Sequence, residues 1–162
     1  MDVSTTRWIF ESGVYGMKII SRRARPYNIT LYNYVSTASG VMTFQRTFIE
    51  RVSLDLNYQM RLAQRGVNTT NTASLMIDLR DIETTNDRTF LTYDAWAALT
   101  DKTGFFTFNT ANDFFVVGEA TETMPPTTKA DMLKKYRCYS ITGVGIPASD
   151  SGIPIILSVT AK

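Results

Sequence analysis

Histidine is absent from the 162 residues, and this narrows the chemistry more than any motif present. The commonest general base, the commonest activator of a nucleophile and the commonest metal ligand all go with it. Cysteine is nearly absent too. Cys138 stands alone, so neither an intrachain disulfide nor a thiolate zinc site can form, and a reducing compartment or the inside of an assembly is expected. No metal and no other cofactor is expected. The chain has no G-x-S-x-G, no G-x-x-x-x-G-K-[ST] and no G-x-G-x-x-G, which removes the nucleophile elbow, the P-loop and the dinucleotide fingerprint. Only carboxylate pairs remain for catalysis: Asp78 and Asp81 around Arg80, and Asp94 and Asp101 around "AWAALT". Their flanks read as strand-end and helix-cap chemistry. No catalytic residue is assigned, and the chain is not expected to be an enzyme. No apolar run approaches the ~20 residues of a membrane span, and the N-terminus lacks the apolar core of a secretory signal. No membrane partner is expected, and the sequons at Asn28 and Asn68 carry no weight.

Aromatic residues make up 12% of the chain, chiefly Phe and Tyr, against 20% charged residues. That balance favours strands. A chain of this length buries roughly 70% of its unfolded surface and needs no staple. Charge is unevenly spread: residues 1–65 sum to +5 and residues 66–162 to −3. A basic end and an acidic end suit stacking of like copies or bridging of unlike surfaces, although simple solubility accounts for them as well.

The first segment, residues 1–26, reads as an arm. Trp8, Ile9, Phe10, Val14, Tyr15, Met17, Ile19 and Ile20 make it sticky, Gly13 and Gly16 interrupt any helix, and Pro26 ends the run. Its assembly candidates are Trp8, Ile9, Phe10, Tyr15, Ile19 and Ile20; an extra strand on its own domain is the competing reading. Arg22, Arg23 and Arg25 in "SRRAR" are candidate basic contacts to phosphate or to an acidic partner. Residues 27–162 read as one domain. "NITLYNYV" alternates Ile29, Leu31 and Val35 with Thr30, Tyr32 and Tyr34, "STASG" supplies a turn, and "VMTFQRTFIE" resumes the period of two. "RVSLDL" follows as a third run or as a continuation of the second through a bulge near Glu50. From Asn57 to Ala73 the pattern breaks into a long polar inter-strand loop, or a hairpin with an extended tip, before "SLMIDLRDI" returns to strand. Asp94 is a candidate cap for a helical turn around Trp96, and Thr128 with Asp131 opens a second helix as a capping box. Two more hairpins are expected, one from Phe105–Phe108 with Phe114–Val117, the other from "RCYSITGVGIP" with "IPIILSVTAK". The sum is a mainly all-β domain: a small antiparallel barrel or sandwich with one or two short helices, a long inter-strand loop and an N-terminal arm.

The succession "NITLYNYV" (28–35), "QRTFIERVSL" (45–54), "RGVNTTNTASLMIDL" (65–79), "NDFFVVGEA" (112–120) and "DMLKKYRCYSITGV" (131–144) resembles a family of tailed-phage head-to-tail connectors. These are the head-completion, stopper or "minor capsid" proteins of Firmicutes phages. The likeness runs from about Asn28 to Lys162 and rests on the order of the pieces. The chain departs from the family pattern at Asn112, where Gly is common, in lacking a late His or Trp, and in its N-terminal segment. The resemblance implies a virion protein of the neck, assembled in the host cytoplasm. It would form a homo-oligomeric ring of twelve or six copies between portal or adaptor proteins and the tail terminator or tail tube, touching packaged DNA nonspecifically. It also implies that the Asn57–Ala73 loop points into the channel, with Arg61, Arg65, Gly66, Asn68 and Asn71 as lumen candidates; a loop packed against a neighbour is the alternative. A tail-terminator or tail-tube ring subunit is the runner-up function, and a small monomeric nucleic-acid-binding module is the alternative from another class. If residues 2–24 are an assembly arm, their deletion leaves a folded domain whose self-association is weakened, measurable by circular dichroism and sedimentation. Unfolding of the truncated chain, or undiminished assembly, contradicts the arm.

Overall fold

The computed structural model describes residues 25–63, 66–145 and 156–162, with side chains at all of these except 58–63, 66–70 and 156. Along the chain run β1 (Tyr27–Ala38), β2 (Val41–Ala63), β3 (Gly66–Asp78), β4 (Glu83–Thr84), β5 (Thr89–Phe90), α1 (Tyr93–Ala97), β6 (Phe105–Phe106), β7 (Phe114–Val117), α2 (Lys129–Lys135), β8 (Cys138–Gly145) and β9 (Ile156–Ala161). Hydrogen-bonded neighbours follow the order β1-β7-β8-β9-β3-β2, and β2 pairs back onto β1. The result is a closed six-stranded antiparallel barrel. Closure removes the exposed edges that an open sheet of this size would leave.

β1 and β2 are joined by Ser39 and Gly40, both at positive φ (51° and 77°), as a two-residue hairpin turn matched to the strand twist requires. β2 then runs unbroken for 23 residues. Its first part pairs with β1, from Val41↔Ala38 to Val52↔Tyr27, and its second part with β3, from Ser53↔Met76 to Ala63↔Gly66. The register with β1 shifts by one residue between Ile49 and Val52, and Arg51 takes φ +62°. This is the bulge expected near Glu50, and it makes the second and third sequence runs one strand.

The barrel interior holds Ile29, Leu31, Ile49, Val52, Leu54, Leu75, Ile77, Phe115, Ile141, Leu157 and Val159. A second, smaller core lies on the outside of β1 and β7. There Tyr32, Phe114 and Val116 are covered by Ala120, Met124 and Met132 from the segment leading into and through α2; Tyr32 and Phe114 stack at 4.9 Å. α2 begins as expected, with Thr128 accepting from the Asp131 N–H and Asp131 facing back to the Thr128 N–H, a capping box of about 1 kcal/mol. α1 is capped at Thr92, with Asp94 in its first turn. Asp94, read from the sequence as the cap, therefore lies two residues inside the helix, and Thr92 makes no side-chain capping bond.

Residues 79–113 leave the barrel wall and close one end of it. Phe90, Phe106, Phe108, Leu79 and Ile82 join the interior core from this cap. β6 pairs in parallel with β5, whereas β7 pairs with β1 and β8, so Phe105–Phe108 and Phe114–Val117 do not form the hairpin expected of them. The cap explains a polar inner face. Asn33, Gln45 and Thr47 point inward beside Leu31 and Ile49, and each finds a cap partner: Thr107 O at 2.6 Å, Phe105 O at 2.7 Å and Arg88 Nη1 at 2.7 Å. Val35 is turned out to solvent instead by a register shift between Tyr34 and Ser36.

Asp113 latches the end of the cap to β1. Its buried carboxylate accepts from Asn33 Nδ2 (2.7 Å), the Tyr34 N–H (2.8 Å) and the Asn109 N–H (2.9 Å). Burial outweighs these donors and pushes the carboxyl from 3.8 up to about 6. The native state thus holds this proton more tightly than the unfolded chain. The corresponding stability is complete below about pH 4 and is lost as pH rises through about 6, a swing of up to ~3 kcal/mol. Asp113→Asn removes the titration. Urea unfolding of both proteins from about pH 4 to pH 7 should show the wild type losing stability relative to the variant as pH rises; a pH-independent difference contradicts the latch.

Candidate functional site

The β2–β3 hairpin outruns the barrel. β9 pairs with β3 only from Ala73 to Asp78, but β2 and β3 continue through seven further pairs, from Asn57↔Thr72 to Ala63↔Gly66. At ~3.3 Å per residue that is a ribbon of roughly 23 Å beyond the wall. The segment expected as a long loop is therefore strand-paired almost to its tip, in keeping with the extended-hairpin reading. Threonine, β-branched, favours strand pairing, and Thr69, Thr70 and Thr72 all fall within this ladder.

An ionic cluster fixes the Arg51 bulge, where β2 passes from β1 to β3, at the end of the β3–β9 ladder remote from the ribbon. Arg51 bonds Glu83 at 2.5 Å and lies 3.5 Å from Asp81. Arg25 reaches Asp81 at 3.0 Å and Asp78 at 3.8 Å, while Arg80 grips Asp78 with two bonds of 3.0 Å. The hydrogen bond from Arg80 holds the Asp78 carboxyl below its usual range, against the opposing effect of burial. β4 pairs Glu83 with Glu50 and Thr84 with Ile49, so the cluster clamps the bulged strand from both sides. Asp78 and Asp81, weighed in the sequence as a catalytic pair, belong to this clamp. Asp101, of the other pair, accepts from the Thr103 N–H and hydroxyl at 2.9 and 2.7 Å, which lowers its pKa.

At the end of the barrel from which the ribbon springs lies an open groove of about 670 Å³, with Leu56, Leu133, Tyr136 and Tyr139 among its walls and Arg137 and Lys162 beside them. Burial pushes the Cys138 thiol in this groove up in pKa. Leu133, on the outer side of α2, is 56% exposed. A second groove, of about 430 Å³, runs between the start of β2 (Val41, Met42, Phe44) and Met124–Pro125 on the flank. Among the described residues no group of three or more His, Cys, Asp or Glu side chains is placed to hold a metal ion, and no helix is long and apolar enough to cross a membrane.

The predicted site residues separate into three sets. Arg61, Gly66, Asn68 and Asn71 fall together on the ribbon, where Arg61 pairs with Asn68, Gly66 with Ala63 and Asn71 with Tyr58; Asn71 also lines the groove. Arg65, the arm candidates Trp8, Ile9, Phe10, Tyr15, Ile19 and Ile20, and the basic candidates Arg22 and Arg23 lie outside the described residues. Arg25 is a correction: its side chain is 3% exposed and committed to Asp81 and Asp78, so it cannot serve as a free phosphate contact. Sequence reasoning missed the groove walls Leu133, Tyr136 and Tyr139. Leu133 could have been found as the apolar residue on the otherwise charged face of "DMLKKY".

No curated protein and no solved structure matches the chain. A family model does, from Pro26, one residue before β1, into the segment that follows β8. Residues 26–148 match the model of a family of unknown function, DUF6751, and because that match spans most of the 162 residues, the chain belongs to this family.

Proposed function

We propose that this chain is a ring-forming structural subunit of a tailed-phage neck: a head-to-tail connector of the head-completion or stopper type, joining portal or adaptor to tail and helping to retain or pass DNA. The observation that carries the reading is the ribbon that extends seven residue pairs past a closed barrel. A closed barrel has a fixed shape and offers its neighbours no free edge, so it suits a rigid wall segment. The ribbon reaches away from that wall and bears Arg61 and Asn68 as paired positions, with Asn71 exposed near its base.

Inside a ring, one arginine per copy makes a weak and sequence-independent phosphate contact. Repetition around the ring turns such contacts into a collar, because each further contact forms at high effective concentration. Strand pairing gives the collar a defined reach that an unpaired loop lacks. The opposed net charges of the two sequence halves are compatible with the unlike surfaces that heterologous ring contacts need, and the N-terminal segment is assigned to the same assembly.

Negative-stain electron microscopy of the purified full chain tests the proposal. Closed rings with a central channel, of twelve or six copies, are expected. A ring of six seated on the tail tube instead identifies a tail-terminator or tail-tube subunit, and a monomer that binds DNA tightly with steep salt dependence overturns ring assembly in favour of a nucleic-acid-binding module.

A further inference from the structure

Most cations of this molecule are already committed. Arg25, Arg51, Arg80, Lys134 and Lys135 are bonded to carboxylates, and Arg46, Arg88, Lys102 and Lys129 to carbonyl or hydroxyl oxygens. Among the described side chains only Arg137 and Lys162 are cations without such a partner, and both line the same open groove of about 670 Å³. Their backbones are fixed there. Lys162 is held against Ser140 by paired backbone bonds of 2.8 and 2.9 Å, and the Arg137 carbonyl accepts from the Val117 N–H at 3.1 Å. No acidic side chain lines the groove. Asn57 and Asn71, in the first two residue pairs of the ribbon, lie exposed in the same wall, and their amides have no partner among the described residues.

Two charges of one sign in a cleft with apolar walls focus their field and draw in an anion. Unpaired amide N–H groups are further donors to phosphate oxygens. The tyrosines decide which part of a nucleic acid fits. Tyr139 is 8% exposed and stacked on Phe115, while Tyr136 packs on the outer core with its hydroxyl bonded to Glu122. Neither offers the open ring face on which an unpaired base stacks. We propose that this groove is a phosphate site for the backbone of duplex DNA, with Arg137 and Lys162 as its cations and Asn57 and Asn71 as its amide donors. The contact reads no sequence. It lies at the barrel end from which the ribbon springs, so wall and ribbon meet the same strand. The site deepens the proposed function, on which it rests only in requiring that the chain meets DNA.

Fluorescence anisotropy of the full chain with a short labelled duplex, across about 50 to 200 mM salt, tests the site. The wild type should bind with an affinity that falls as salt rises. Arg137→Gln and Lys162→Gln should each lower the slope of log affinity against log salt by about one for every copy engaged. Arg137→Lys, which keeps the charge, keeps the slope; so does Lys102→Gln, which removes the same charge at the capped end. Arg137 and Lys162 are exposed, and unchanged thermal unfolding verifies the fold of each variant. A slope that falls equally in Lys102→Gln, or that holds its wild-type value in both groove variants, overturns the groove contact, while closed rings under the microscope leave the ring reading standing. A wild type that binds no duplex overturns the groove contact together with the DNA-retaining part of the proposed function. Displacement of the duplex by pyrophosphate, beyond that caused by chloride at equal ionic strength, makes the groove a small-anion pocket and also overturns the proposal.

Discussion

Everything distinctive in this molecule depends on β2 belonging to two ladders at once. A strand of 23 residues extends for ~75 Å, far more than a small barrel wall needs, and it stays one strand because a single extra residue is absorbed at Glu50–Arg51. The bulge lets the strand turn out of its pairing with β1 and into its pairing with β3. A non-glycine residue at positive φ costs of order 1 kcal/mol or more and persists only when its surroundings impose it. Here they do: the Arg51 side chain is held by Glu83 and Asp81, and the same acidic residues draw in Arg25 at the entry to β1. The ionic cluster therefore fixes where β2 passes from its ladder with β1 to its ladder with β3, six residues before the ribbon begins.

From that constraint follow two unlike ends. One is shut by the cap, which fills the barrel with Phe106 and Phe108 and bonds the inward amide nitrogens of Asn33 and Gln45 and the Thr47 hydroxyl; beyond it stands the uncharged β1–β2 tip. The other stays open as a groove and sends out the ribbon. Unlike ends are what a heterologous, head-to-tail contact requires, and a face-to-face pair needs none. Fold alone assigns no activity, and the structural reading rests on these surfaces.

The barrel was largely legible in the sequence, for a local reason. The alternation through Ile29, Leu31, Leu54, Leu75 and Ile77, the "STASG" turn and the Thr128–Asp131 capping box are signals within a few residues of chain, and the structure uses each of them. What was not legible depended on distant partners. Gln45 and Thr47 look solvent-facing by pattern, and Asn33 reads as a polar break in the phase of Ile29 and Leu31, because the cap groups that bond them are 41 to 74 residues away. Phe105 and Phe114 look like hairpin partners, but β5 and β1 outcompete that local pairing. Asn57–Ala73 looks like a loop because Arg61, Arg65, Gly66 and the Asn and Thr run from Asn68 to Thr72 obscure the short period of two through Tyr58, Met60 and Leu62; backbone pairing with β3 makes that stretch a ribbon. Arg25 appeared to be one of a basic run and is a buried ion-pair partner, a distinction that only Asp78 and Asp81 could make.

The most direct test of this account is residue-resolved amide hydrogen exchange along β2 and β3. A two-stranded antiparallel ribbon directs every second N–H at its partner and the others at water. The account predicts alternating protection through residues 57–63 and 66–72, continuous with stronger and unbroken protection at residues 73–76 of β3, where β2 and β9 flank the strand on both sides. Uniform exchange at unstructured rates from Asn57 to Thr72 would contradict it, since β2 would then end at the barrel wall and the ribbon would not exist.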